Sequence, residues 1–460
     1  MHANRPTPLP RLCTAACGKS LSEPFEGVSD PAAEPEPGPE EDPLLGREPG
    51  PEEDPLGRAA AWLSPHARAL LVGNDTRKWA IEQGGFLTNH LHYGILSLAA
   101  LGADDGFIDE FVDYYTQRLE PPSPRRRSNP TDAEGDPLLP LGARQFFAAH
   151  VRAFEREVCV GAPAGSCDPG APLWAGEVVS AGHQPGTTLV RLLDGLAGAA
   201  FHSLINCGIG LRFRIGRCSV EGLAYLAHSW LPVGGGPALF DNFEWEDTDE
   251  SEQDGLAVVT AIRDDGELSR LLTDEWSAVE KLPTGYFQRC MHAFAAHGGA
   301  GTAPALGLLT YARRVALPSK PLAAVRALLE LALRLFLGAD TCDYFLLHGV
   351  VACASLAPLV AGLTRTADGL RVCRRMVCAL LATYVAQGCP ELASLAGEEQ
   401  ARNDDTLVDI DGSWAAVRET ALAEGGLRNE HAYKLVWLCE ELDREGAAPD
   451  ESEEARLPHW

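Results

Sequence analysis

Four histidines in apolar surroundings are the residues of this chain best suited to chemistry. They are His90, His202, His348 and His431, and each stands in or beside a run of small or aliphatic residues. A buried imidazole needs a partner for both ring nitrogens, because an unpaired polar group in an apolar interior is costly. For each histidine alone, a hydrogen bond to a backbone carbonyl is the simpler interpretation. Four of them on four predicted helices raise a second interpretation, a metal site built from inward-facing side chains of a bundle.

Lys434 follows His431 by three residues and therefore shares its helix face. No carboxylate of comparable burial is evident near the histidines, which is unusual for non-haem iron, where two histidines and a carboxylate are common ligands. His228, in Ala-Tyr-Leu-Ala-His-Ser-Trp, is interpreted as a core histidine. The glycines at 208–210 and 234–236 lack the spacing of nucleotide-binding loops, and neither Gly-x-Ser-x-Gly nor His-Glu-x-x-His occurs.

The segments that must position these side chains have helical periodicity, and alternating strand patterns are nearly absent. We therefore predict an all-α protein with a single large helical domain over residues 59–445 and His202 in the middle of a helix. A disordered, acidic, Pro/Gly-rich tail is predicted over 1–58 and an acidic tail over 446–460. Helices are predicted over 60–71 with Ser64 as N-cap, 86–102, 108–120, 189–213, 220–230, 256–263, 276–281, 286–297, 321–337, 340–363, 370–386, 414–422 and 426–442, and a helical pair is predicted over 142–160.

Composition excludes several classes of partner. The chain has 460 residues, 45% of them hydrophobic, and a formal net charge of −27. So acidic a chain is poorly suited to nucleic acid or an anionic membrane surface. No run of 18 consecutive apolar residues occurs, so a membrane span is not expected. The 13 cysteines are an odd number without regular spacing, which favours reduced thiols and a cytoplasmic location over a disulfide framework.

Part of the negative charge is local. Residues 37–47 (PGPEEDPLLGR) recur almost unchanged as residues 49–58 (PGPEEDPLGR), and residues 244–254 are nearly all polar. Segments so rich in Pro, Gly and acids cannot bury enough apolar surface to offset the entropy of ordering them. We predict that these segments are solvated and carry no chemistry.

Four motifs, in order along the chain, resemble the questin-oxidase-like family. They are Gly84-Gly-Phe-Leu-Thr-Asn-His90, Phe201-His202-Ser-Leu-Ile, Leu347-His348-Gly-Val-Val and Asn429-Glu-His431-Ala-Tyr-Lys434. The family includes fungal enzymes of anthraquinone and aflatoxin-type pathways, described as oxidoreductases that insert oxygen or cleave rings, some with NADPH. The resemblance implies an oxidoreductase of monooxygenase or dioxygenase type.

At least one member of the family resembles an iron enzyme with four histidine ligands and a carboxylated lysine. Carried over by motif, the metal ligands are His90, His202, His348, His431 and Lys434. A buried neutral lysine can add carbon dioxide, and the carbamate then supplies a hard oxygen donor beside the imidazoles. The resemblance thus implies Fe(II), dioxygen as co-substrate and a small aromatic or polyketide-like substrate, with NADPH as a further cofactor to be tested. Aromatic walls are expected from Phe86, Phe201 and Phe345.

Two positions depart from the family pattern. Fungal members often have a second histidine where this chain has Asn206, and a threonine is common where it has Val351. Asn206 lies four residues after His202 and therefore on its helix face, where it could orient water or substrate. Two alternatives stay open: a metal-dependent hydrolase with the same ligands, and a non-catalytic helical scaffold derived from an enzyme.

Overall fold

The structure is a computed structural model of the chain. It describes residues 63–122, 141–160, 187–213, 215–245, 253–295, 302–339, 343–393, 413–425 and 430–447. The predicted tail over 1–58, the residues that follow 447 and most of the acidic run over 244–254 lie outside the described residues.

The fold is all-α, as predicted. Among the described residues, the β-structure with regular pairing is one antiparallel hairpin of two short strands, in which Glu82 pairs with Thr88. The elements are α1 (Pro65–Gly73), β1 (Glu82–Gln83), β2 (Leu87–Thr88), α2 (Leu91–Ala100), α3 (Asp105–Thr116), α4 (Phe147–Val160), α5 (Thr187–Leu193), α6 (His202–Arg212), α7 (Gly216–His228), α8 (Pro237–Asp241), α9 (Gly255–Asp265), α10 (Glu267–Val279), α11 (Tyr286–Ala293), α12 (Thr302–Arg314), α13 (Pro321–Gly338), α14 (Tyr344–Ala361), α15 (Thr366–Ala386), α16 (Trp414–Gly425) and α17 (Glu430–Ala447).

Several helix starts follow directly from local sequence. The Ser64 side chain accepts a hydrogen bond from the Ala67 amide and Pro65 stands at the first helical position, which confirms the predicted N-cap of α1. The Asp343 carboxylate caps α14 by accepting from the Phe345 and Leu346 amides. Each such cap stabilises its helix by about 1 kcal/mol. The cap of α14 fixes the start of the helix that carries His348.

The predicted continuous helix over 189–213 is wrong. The chain instead forms α5, then a 3-10 turn over Gly198–Phe201, and α6 begins at His202. Ala199, Ala200 and Phe201 have φ of 50°, 53° and 68°. Left-handed backbone costs a non-glycine residue about 1–2 kcal/mol, so the surrounding packing must impose this turn. His202 is therefore the first residue of its helix and not a mid-helix residue.

Several further helices differ from the prediction. The helix predicted over 86–102 begins only at Leu91, because the hairpin β1–β2 occupies the residues before it and His90 is its N-cap. Helices α8 and α12 were not predicted at all, and α10 covers Glu267–Val279 rather than the predicted 276–281. The C-terminal helices α13 to α17 lie within a few residues of their predicted positions.

Helix α6 lies at the centre of the core. Every residue from His202 to Leu211 is buried. A Cβ at Gly208 would lie 2.1 Å from the Ser355 carbonyl oxygen of α14, and one at Gly222 of α7 would lie 2.3 Å from the Cys207 amide. Glycine at these two positions therefore lets three helices pack backbone against backbone, and this close packing sets the distance between His202 and His348.

Helix α14 is also the one described helix long and apolar enough to cross a membrane, with a mean hydropathy of 1.8. Its burial gives another reason for that composition. The helix is 72% buried within the protein, and it carries His348 into the core.

Candidate metal centre

Four separate elements bring the predicted histidines together. His90 is the N-cap of α2, His202 is the first residue of α6, and His348 follows the first turn of α14. His431 is the second residue of α17. All four are buried, with exposed fractions between 2% and 7%. Their convergence is the arrangement that the metal hypothesis requires.

One ring nitrogen from each histidine lies within 4.8 Å of those of the other three. The Nε2 atoms of His90 and His202 are 2.6 Å apart, and those of His202 and His348 are 2.9 Å apart. The His431 ring centroid lies 4.9 Å from that of His90 and 5.1 Å from that of His348. The cluster is therefore a compact group of imidazole nitrogens around one point.

The Nδ1 hydrogen bonds of two rings show which nitrogen of each ring carries the lone pair. His202 Nδ1 lies 2.5 Å from the Ala199 carbonyl oxygen, and His348 Nδ1 lies 2.6 Å from the Tyr344 carbonyl oxygen. A carbonyl oxygen only accepts, so each Nδ1 must carry the hydrogen, and in a neutral ring Nε2 then carries the lone pair. The two Nε2 atoms consequently cannot hydrogen-bond to each other. A cation between them would resolve the repulsion, and carbonyl acceptors are usual outer partners of metal-binding histidines.

Electrostatics keep the four rings in the state that binds a metal. Burial lowers the pKa of all four imidazoles well below the usual value, and the neighbouring Lys434 ammonium lowers it further. The rings are thus neutral near pH 7, and neutral imidazole is the metal-binding form. The His431 Nε2 atom is buried and has no hydrogen-bond partner within the described part of the chain. The residues present fit a metal ion.

Lys434 lies beside the four rings, as its spacing predicts. It is 3% exposed, and burial lowers its pKa from 10.5 to about 8. Its Nζ atom lies 4.8 Å from the centroid of the Tyr93 ring. A lysine with such a pKa has a substantial neutral fraction, which is the form able to react with carbon dioxide. Its role as a ligand stays a prediction.

A buried carboxylate accompanies the histidines, contrary to the prediction. Glu430, the first residue of α17, has a side chain only 12% exposed. Its Oε1 lies 3.4 Å from His90 Nδ1 and 3.7 Å from His431 Nδ1. It precedes His431 directly and Lys434 by four residues, so the closing motif contained the signal, but helix spacing alone did not distinguish a buried glutamate from a solvated one.

Three tyrosines, also missed from sequence, pack around the cluster. The Tyr93 hydroxyl donates to the His202 carbonyl at 2.8 Å, and the Tyr115 hydroxyl accepts from the His90 amide at 2.9 Å. The Tyr344 ring centroid lies 4.4 Å from that of His348 and 4.3 Å from that of His431. Burial raises the pKa of all three hydroxyls, which are therefore protonated hydrogen-bond donors at neutral pH.

Asn206 and the three phenylalanines predicted as aromatic walls differ in burial and in their contacts. Asn206 is 5% exposed, and its Nδ2 has no hydrogen-bond partner among the residues described. The Phe345 ring centroid lies 6.2 Å from that of His348, and Phe345 stacks on Phe287 at 4.1 Å. Phe201 is fully buried in the strained turn, and Phe86 is partly buried beside Gly285. Of the three predicted aromatic walls, Phe345 is the one with a ring contact to the cluster among the described residues.

His228 belongs to a separate network, as its interpretation as a core histidine predicts. Its Nε2 lies 3.3 Å from Glu82 Oε2. The Tyr225 hydroxyl bonds to the other Glu82 oxygen at 3.2 Å and to the Thr88 hydroxyl at 2.8 Å. These bonds tie the β1–β2 hairpin to α7. The hairpin leads directly into His90, so the network supports the metal centre from outside.

A family model agrees with these observations. The model for the questin oxidase-like family matches residues 87–438, which cover most of the chain and include all four histidines and Lys434. No curated protein matches this chain. The all-α fold, the ordered motifs and this match lead to one conclusion: the chain belongs to the questin oxidase-like family.

Proposed function

We propose that this protein is an iron-dependent oxidoreductase that uses dioxygen to oxidise, or to cleave a ring of, a small aromatic substrate. The observation that carries the proposal is the pair His202 and His348. Their Nε2 lone pairs face each other at 2.9 Å while both Nδ1 hydrogens are held by carbonyl oxygens. The family is one of oxidase-like proteins, which supports redox chemistry over a purely structural role.

The donor set supports iron rather than structural zinc. Four imidazoles and one oxygen donor would exceed the four ligands of a structural zinc site, whereas Fe(II) sites combine imidazole with carboxylate-type oxygen donors and keep open positions.

Lys434 supplies the oxygen donor in this proposal. The neutral amine attacks carbon dioxide, a nitrogen–carbon bond forms, one carbon–oxygen π pair moves to oxygen, and the amine releases a proton. No electron is gained or lost overall. The resulting carbamate is an anion among four neutral imidazoles, and it would replace a buried ammonium that the low-dielectric site disfavours.

The remaining residues have defined tasks around the ion. His90, His202, His348, His431 and the modified Lys434 would hold it, and iron, when bound, supplies the activation of dioxygen. Access of bulk water would be limited because all five side chains are less than 10% exposed. Asn206 is proposed to orient the substrate or a water molecule through its unpaired Nδ2.

Access to the centre is proposed from the start of α14. Tyr344 and Phe345 are only partly buried, although their rings pack on the buried His348 and His431. Aromatic rings at this position suit a planar, electron-rich substrate, because they offer stacking at centroid separations of about 4.5–7 Å. A hydroxylated anthraquinone is a suitable first test compound.

The location of the protein is a proposal of the same kind. Eight cysteines of the described residues are free thiols, and seven of them are buried. Reduced, buried cysteines are typical of a reducing compartment, which supports the cytoplasm.

Metal analysis of the purified protein tests the proposal most directly. We expect about one iron per chain, and oxygen consumption with a hydroxylated anthraquinone, measured with and without NADPH. One zinc per chain with hydrolytic activity would favour the hydrolase, and the absence of bound metal would favour the scaffold. Carbon-13 NMR after incubation with labelled bicarbonate should show a carbamate signal that Lys434→Ala removes.

A further inference from the structure

Within the four-histidine cluster, the Nδ1 atoms of His202 and His348 point away from the other rings and are hydrogen-bonded to backbone carbonyl oxygens. His90 is different. Its Nδ1 is buried and makes no hydrogen bond to any described residue, and Glu430 Oε1 lies 3.4 Å away. Glu430 is a carboxylate, whereas the partners of the His202 and His348 Nδ1 atoms are backbone carbonyls.

We infer that Glu430 is a positioning residue that accepts the Nδ1 hydrogen of His90 and thereby directs His90 Nε2 at the metal. This inference rests on the proposed metal centre. It assigns Glu430 a place outside the ion and not among its ligands.

The geometry supports a place outside the ion. The oxygen faces the Nδ1 atoms of His90 and His431, whereas the nitrogens of His90, His202 and His348 that approach one another are Nε2. The group of mutually close donor atoms comprises the four histidines and does not include Glu430. A small rotation of the glutamate or the imidazole would close the 3.4 Å separation to hydrogen-bond length.

The position of Glu430 in the fold supports the same role. It is the first residue of α17, where the helix dipole favours a negative charge. The same helix turn delivers His431 and Lys434, so docking α17 brings two ligands and the acceptor of a third in one step. A carboxylate acceptor makes a stronger hydrogen bond than the carbonyls that serve His202 and His348. This hydrogen bond should therefore increase the donor strength of His90 towards a metal.

The test is Co²⁺ binding to the metal-free full-length chain, measured by competition with a chelator and by the visible absorption of bound Co²⁺. We expect Glu430→Gln to weaken Co²⁺ affinity by about tenfold and Glu430→Ala by about 10–100-fold. The absorption spectrum should also change, since the donor strength of His90 changes. Glu440→Gln is the matched control, because Glu440 is a buried glutamate of the same helix that pairs with Arg418. It should leave the affinity unchanged.

A double-mutant cycle separates this role from two others. If Glu430 acts through His90, Glu430→Gln has little further effect in a His90→Ala background but keeps its effect in a Lys434→Met background. A loss that persists without His90, or that vanishes without Lys434, overturns the inference. A merely structural role would lower the thermal midpoint of the metal-free Glu430→Gln protein and leave Co²⁺ affinity intact, which also overturns it.

The inference and the proposed function fail separately. If wild-type protein binds Co²⁺ and Glu430→Gln binds it with the same affinity, the inference alone is refuted. If Glu430→Gln shows the expected loss of Co²⁺ affinity, but purified wild-type protein contains zinc and has no oxidase activity, the proposed function alone is refuted. Wild-type protein that binds no Co²⁺ refutes both.

Discussion

Lys434 is expected to destabilise the metal-free protein, and its replacement by methionine should therefore stabilise it. The side chain is 3% exposed and lies beside four imidazoles that offer it no negative charge. Glu430 provides partial compensation, but burial dominates and lowers the lysine pKa to about 8. Methionine has a similar length and flexibility and no charge, so Lys434→Met imitates the neutral amine with little change in packing.

The pKa difference sets the size of the effect. A folded-state pKa of about 8 against an ordinary value of 10.5 corresponds to about 3 kcal/mol at 1.36 kcal/mol per pH unit. The unfolded lysine binds its proton more tightly, so below pH 8 the native state carries the whole penalty. Between pH 8 and pH 10.5 the native lysine is neutral while the unfolded lysine is still protonated, so the penalty falls steadily. It disappears once the unfolded lysine also loses its proton. The free energy of unfolding of Lys434→Met should therefore exceed that of wild type by about 3 kcal/mol at pH 7 and by almost nothing at pH 10.5.

Urea unfolding of metal-free protein measures this difference. Buffers should contain a chelator and be freed of carbon dioxide, so that neither a metal nor a carbamate stabilises the wild type. Lys281→Met is the control, because Lys281 is exposed and its replacement should give no pH-dependent difference. If Lys434→Met is less stable than wild type at pH 7, or if the difference is the same at pH 7 and pH 10, the stated cost of burying this lysine is wrong.

Three further predictions concern the supports of the centre. His348→Gln should abolish stoichiometric metal in purified protein, whereas His228→Gln should retain it despite a loss of stability; elemental analysis checks both. Gly208→Ala should lower the unfolding free energy by about 3 kcal/mol or more, because its Cβ would meet a backbone oxygen at 2.1 Å; unchanged urea midpoints would contradict this. Ala200→Gly, at a φ of 53°, should stabilise the metal-free protein by up to about 1 kcal/mol; a lower denaturation midpoint would show that the turn is not strained.

The residues of the site were more predictable than the backbone that holds them. An imidazole within an apolar run is conspicuous, because few buried positions tolerate it without a partner. His202 and His348 both stand in such runs, and the structure brings them together. Glu430 lies on a helix with many polar residues, where nothing local separates a buried carboxylate from a solvated one. Its burial results from the docking of α17, which is a tertiary event.

The turn before His202 was not predictable for a related reason. Leu and Ala make up almost half of residues 189–205, and their helix propensity is high. The observed break depends on contacts from a distant segment, since a Cβ at Gly198 would meet the Ser229 carbonyl oxygen at 1.9 Å. Local propensity is overridden there by packing. The C-terminal helices, whose breaks coincide with Gly, Pro and polar residues, needed no such contacts to be located.

The distribution of the ligands along the chain has a consequence for how the protein is made. His90 precedes the first core helix of the matched region and His431 lies on the last helix that the structure describes. A ribosome must therefore release almost the whole domain before the fourth imidazole and Lys434 are available. A bound ion would then join two points roughly 340 residues apart, and cross-links that close long loops remove the most entropy from the unfolded chain. If the proposed metal binds here, its site can be completed only after α17 has docked, and a chain that ends before α17 would lack two of the proposed ligands.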